Sequence, residues 1–88
     1  MYKLFTTKTF ERKLKVFIKK HPELENEITK ILDFLAEDPY SVHLKTHKLS
    51  GQLKNERAVY LTYEFRILFL IKDDEIYLTN IGSHDEVY

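Results

Sequence analysis

Phe10, Leu14, Phe17 and Ile18 recur at the i, i+4, i+7 and i+8 spacing that lines one face of an α-helix, while Arg12, Lys13, Lys15 and Lys19 fill the other sides. The spacing predicts an amphipathic helix with a basic outer surface, capped by Thr7 or Thr9 through a side-chain oxygen. Lys20-His21-Pro22 ends the stripe, because proline disfavours helical geometry in the residue before it and suits the first turn of a following helix. That second helix carries Leu24, Ile28, Ile31, Leu32 and Leu35 on one face, with Glu23 and Glu25 at its positive N-terminal end. Asp38-Pro39 closes it.

Outside the helices the period changes to two. Residues 2–6 read as a short strand, and residues 57–63, 65–71 and 76–81 as three more, with Asp73 and Asp74 in the last turn. Phe65, Ile67, Phe69 and Ile71 face one way; Arg66, Leu68 and Leu70 face the other. A strand apolar on both sides belongs at the centre of a sheet, and Leu68 and Leu70 are expected to leave its far face open to a partner. Residues 40–56 read as a loop leading into the sheet. The expected fold is α+β: an N-terminal strand, an antiparallel helix pair and an antiparallel β-sheet, in a single domain over residues 1–88.

Composition narrows the function classes. The chain has no cysteine, so neither a disulfide nor a thiolate metal site supplements the core, in keeping with a reducing, cytoplasmic setting. No stretch approaches the ~20 apolar residues of a membrane span, and no membrane partner is expected. The formal net charge is zero but unevenly distributed. Lys3, Lys8, Arg12, Lys13, Lys15, Lys19 and Lys20 precede an acidic run from Glu23 to Asp38, and Lys45, Lys48, Lys54 and Arg57 restore a basic stretch that could meet a polyanion.

The side chains with chemistry to offer are His47, Tyr60, Glu64, Arg66, His84 and Tyr88. Antiparallel pairing of the last three strands returns residues after Ile81 to the start of the middle strand, near Glu64 and Arg66, which permits a cluster with His84. Imidazole exchanges protons near neutral pH; Arg66 is suited either to an anion or to a cross-strand ion pair. The histidines lack close metal-ligand spacing, so no metal is expected.

Three segments carry a resemblance: Leu44-Lys45-Thr46-His47-Lys48-Leu49-Ser50-Gly51, Tyr63-Glu64-Phe65-Arg66-Ile67-Leu68-Phe69, and Ile81-Gly82-Ser83-His84-Asp85-Glu86-Val87-Tyr88. In their order and spacing they resemble the RelE/ParE superfamily of bacterial type II toxin-antitoxin toxins, above all its YafQ-like and RelE/StbE-like mRNA interferases. The resemblance implies an endoribonuclease that cuts mRNA in the ribosomal A site without a cofactor and is silenced by a cognate antitoxin. It carries over His47 and His84 as catalytic histidines, Tyr88 as the terminal aromatic, and Arg66 as the strand arginine of other branches. Tyr60 and Glu64 stand where the YafQ-like pattern has histidine and aspartate. On this reading a base frees the 2′-oxygen to attack the adjacent phosphorus, and an acid protonates the departing 5′-oxygen. His84 is the expected acid and His47 the expected base; Glu64 is either an alternative base or the holder of a cation. The alternatives from other classes are a non-catalytic ParE-like inhibitor of DNA gyrase and a remnant that only binds antitoxin.

Overall fold

The computed structural model describes residues 1–44, 46–49 and 55–87, with the backbone only for His43, His47 and Lys48. Among these residues the elements run β1 (Lys3–Thr6), α1 (Lys8–Lys20), a 3-10 turn (Pro22–Leu24), α2 (Glu25–Glu37), a second 3-10 turn (Val42–Leu44), β2 (His47–Lys48), β3 (Arg57–Tyr60), β4 (Phe65–Lys72), β5 (Glu75–Ser83) and α3 (His84–Val87). The strands form one sheet in the order β1-β5-β4-β3-β2.

Thr7 caps α1: its hydroxyl oxygen accepts the Phe10 N–H at 3.2 Å and its O–H donates to the Leu78 carbonyl at 3.0 Å. One side chain therefore starts the helix and ties it to β5. The stripes meet as the sequence requires. Phe10, Phe17, Ile28, Leu35, Ile67 and Phe69 are buried together with Val59, Ile76, Leu78 and Ile81, and Leu14, Leu24 and Ile31 pack at the margin.

The sheet is mixed rather than wholly antiparallel. β3, β4 and β5 pair antiparallel, but β1 runs parallel to β5, with Leu4 beside Ile76 and Phe5 beside Tyr77. The polypeptide leaves β1 into α1 and returns to the same sheet only after both helices, a connection long enough for parallel pairing. Within β5, Leu78 and Ile81 both enter the core although they are three residues apart. A bulge reconciles them: Asn80 pairs with Leu68 and Leu78 with Phe69, leaving Thr79 as the extra residue, with its hydroxyl bonded to the Glu56 carboxylate.

Three local expectations change. Residues 40–56, expected as a loop, contribute the 3-10 turn Val42–Leu44 and the short edge strand β2, whose backbone pairs with β3. β3 stops at Tyr60 and not at residue 63, because the Thr62 hydroxyl accepts the N–H groups of both Glu64 and Phe65 and turns the backbone. The far face of β4 is not open at Leu68. The chain beyond β5 turns back as α3 and lays Val87 over Leu68 and Ala58, with Leu49 at the edge, leaving Leu68 only 1% exposed.

Candidate functional site

At one end of the sheet an open cleft of about 900 Å³ is lined by Tyr60, Thr62, Tyr63, Glu64, Arg66, Ser83, His84 and Asp85. The register explains the convergence: Tyr60, Arg66 and Gly82 lie in one row across β3, β4 and β5, and α3 begins two residues after Gly82. Four of the expected site residues, Tyr60, Glu64, Arg66 and His84, are thereby brought to one surface.

Arg66 stacks its guanidinium over the Tyr60 ring, 4.7 Å from the centroid. The contact places a permanent cation in the cleft with its planar donors fixed by an aromatic support. Glu64 projects from the turn shaped by Thr62 and is exposed. Tyr63, at the same turn, is almost fully exposed. The His84 side chain keeps 60% of its surface accessible, and its Nδ1 lies 3.5 Å from Asp85 Oδ1.

The segment bearing His84 is held from below. The Ser83 N–H donates to Glu86 Oε1 at 2.9 Å, and Ser83 hydrogen bonds together with the Lys20 and Lys13 charges hold the Glu86 carboxyl below its ordinary range. Gly82 lies directly beneath, buried, with φ +158°. A Cβ there would come within 3.2 Å of the Glu86 side chain, so glycine is the residue that admits this close approach. Beside α3, Arg12, Lys13 and Lys20 of α1 line a smaller groove of about 270 Å³ that shares Gly82 and Glu86.

Of the other expected site residues, only Arg57 has a described side chain, and it lies elsewhere. The backbone register sets His47 opposite Ala58, two residues along β3 from Tyr60. The side chains of His47 and Lys48, and the residues Lys45, Lys54 and Tyr88, lie outside the described residues. Arg57 faces a different depression, stacked over Tyr40 at 4.9 Å beside Leu70 and Lys72. Ser83, Asp85 and Glu86 were not singled out from the sequence, although Ser83-His84-Asp85-Glu86 has the Ser-x-x-Glu pattern of a capped helix start. Among the described residues, no three His, Asp or Glu side chains converge as a metal-holding group, and no helix is long and apolar enough to cross a membrane.

Comparison with known proteins agrees with this fold. A toxin from Helicobacter pylori, solved in a metal-bound form, superimposes with a TM-score of 0.83 at 31% identity, covering 100% of both chains. YafQ from E. coli strain BL21(DE3) superimposes with a TM-score of 0.86 at 16% identity, over 100% of this chain and 99% of that one. The toxin in the E. coli DinJ-YafQ complex gives 0.84 at 16% identity with the same coverage. At 16% identity those two likenesses speak for the fold alone. A comparison with curated proteins finds no match. A family profile described as "Bacterial toxin of type II toxin-antitoxin system, YafQ" matches residues 2–88. With the profile spanning nearly the whole sequence, the chain belongs to the YafQ family of bacterial type II toxins.

Proposed function

We propose that the protein is a ribosome-dependent mRNA endoribonuclease that works without a metal, in the cytoplasm, and is silenced by a cognate antitoxin. The observation that carries the reading is the exposed His84 imidazole in the same open cleft as Arg66 and Tyr60. A toxin that acts only by binding gyrase, or a remnant that only binds antitoxin, has no use for a proton-transfer group there.

The substrate supplies its own nucleophile. A base takes the proton of a 2′-hydroxyl, the oxygen attacks the adjacent phosphorus, and the bond to the 5′-oxygen breaks as His84 protonates that oxygen. The products are a 2′,3′-cyclic phosphate and a 5′-hydroxyl, with one proton taken up and one delivered. Arg66 opposes the charge that grows on the phosphoryl oxygens, an interaction strongest in the transition state. His47 is the assigned base, with Glu64 the alternative carboxylate in the cleft. Tyr60 supports Arg66 through ring stacking, a role for the aromatic that replaces the family's histidine. Tyr88 completes the set as the terminal aromatic, and Lys45, Lys48, Lys54 and Arg57 supply backbone contacts to RNA.

DinJ bound to YafQ supports an antitoxin as partner. With Leu68 covered by Val87, the basic outer surface of α1, where Val16 is 51% exposed, is the assigned contact for an acidic and apolar antitoxin segment. The test of the reaction uses ribosomes programmed with a message bearing a 2′-deoxynucleotide at the cleaved position. Loss of cutting there, together with 2′,3′-cyclic phosphate ends on the all-ribose message, supports the mechanism. Cutting that persists, or 5′-phosphate ends, would overturn it, because water activated by a metal does not need the 2′-hydroxyl.

A further inference from the structure

We propose that Glu86 is a positioning residue, a clamp that closes the first turn of α3 and thereby fixes His84 in the cleft. The inference rests on the reading of His84 as the proton donor in RNA cleavage.

α3 spans four residues, too short to hold itself together by its own backbone bonds. Two side chains pin it. Val87 enters the apolar cluster of Ala58 and Leu68 on the outer face of the sheet. Glu86 turns back beneath the chain, where its Oε1 accepts the Ser83 N–H at 2.9 Å. Ser83 occupies the N-cap and Glu86 the third helical position, the spacing at which a carboxylate satisfies the cap residue's N–H. His84 and Asp85 lie inside the ring closed by that bond. Gly82 makes room for the arrangement, since a Cβ would stand 3.2 Å from Glu86 Cβ and Oε1 and 3.4 Å from Val87 Cγ1. The Ser83 hydrogen bonds, with the charges of Lys20 and Lys13 on α1 adding to them, hold the same carboxyl below its ordinary range.

Most of the His84 side chain is exposed and its neighbour Asp85 is fully exposed, so the backbone between Ser83 and Glu86 contributes directly to where the imidazole sits. Misplacing a reacting group by about 1 Å costs on the order of 10²-fold in rate. An opened clamp should reduce the chemical step more than ribosome association.

The experiment compares wild type, Glu86→Ala and Glu86→Gln in two measurements. The first is hydrogen exchange at the Ser83 amide together with the His84 ring resonances by NMR, which needs no activity. The second is single-turnover cleavage on programmed ribosomes, giving the limiting rate and the half-saturating protein concentration. Glu86→Ala is expected to lose Ser83 protection, shift the His84 resonances and lower the limiting rate at least about tenfold, with half-saturation nearly unchanged. Glu86→Gln keeps a carbonyl acceptor and should recover most of the protection and rate. Unchanged Ser83 protection and His84 resonances in Glu86→Ala would overturn the clamp, and so would equal rate losses in the two variants. If wild type itself does not cleave, the nuclease reading falls while the NMR comparison still judges the clamp.

Discussion

Val87→Ala tests whether the outer-face cluster determines the position of α3. Val87 is 5% exposed and packs with Ala58 and Leu68. The substitution removes two methyl groups from a site whose opposite wall is a rigid central strand. Deleting one buried methyl or methylene typically costs about 0.5–1.5 kcal/mol, so the pair is expected to cost roughly 1–3 kcal/mol. Because α3 is a single turn at the end of the described chain, most of that loss should appear as local undocking rather than global unfolding. At about 1.4 kcal/mol per factor of ten, the undocked population rises roughly 5- to 150-fold. Hydrogen exchange at the α3 amides reads the local term, and a thermal midpoint reads the global one. If the whole cost were global, the midpoint would fall by at least about 4 °C. Faster exchange confined to α3, with slower cleavage, is the expected pattern. Unchanged exchange and an unchanged midpoint would show that Val87 does not anchor the helix.

Three further outcomes follow from the same structure. Ile28→Ala, which empties a 4%-exposed core position on α2, should cost about 2–5 kcal/mol in chemical denaturation. Glu86 has a carboxyl held below its ordinary value, chiefly by Ser83 hydrogen bonds and further by Lys20 and Lys13, so its contribution to α3 docking is present above the unfolded-state value and is lost as pH falls through the lower folded value. Exchange at the Ser83 amide, corrected for its intrinsic pH dependence, should therefore reveal opening in acid that Glu86→Gln does not share. Tyr63→Ala, at an exposed ring on the lip of the cleft, should weaken RNA engagement by about 1–3 kcal/mol, the size of one base stack, with the fold unchanged by circular dichroism.

Much of the architecture was legible because it is encoded in short periods. The stripe from Phe10 to Ile18 and the two-sided apolar run of β4 each specify one solution, and antiparallel pairing then brings Arg66 beside Gly82 and near His84. The parallel docking of β1 on β5 was not legible, because strands distant in sequence leave no mark of who pairs with whom. β3 was read too long because Tyr63 suits a strand, while the decisive group is the Thr62 hydroxyl, which competes for backbone N–H groups. The burial of Leu68 depended on α3, whose single turn is too short for helical periodicity to register. Its Ser83-x-x-Glu86 cap was the available signal.

The central claim is that the cleft at the end of the sheet cuts mRNA on the ribosome with His84 as acid. The most direct measurement is primer extension on a defined message in a reconstituted translation system, comparing wild type with His84→Gln and His47→Ala at saturating protein and matched thermal midpoints. The account predicts ribosome-dependent 5′ ends for wild type and a fall of at least ~100-fold in single-turnover rate for His84→Gln, the low end for general acid catalysis, with ribosome association retained. His47→Ala should show a comparable fall for loss of the base. Wild-type cutting that persists undiminished in a folded His84→Gln protein would contradict it.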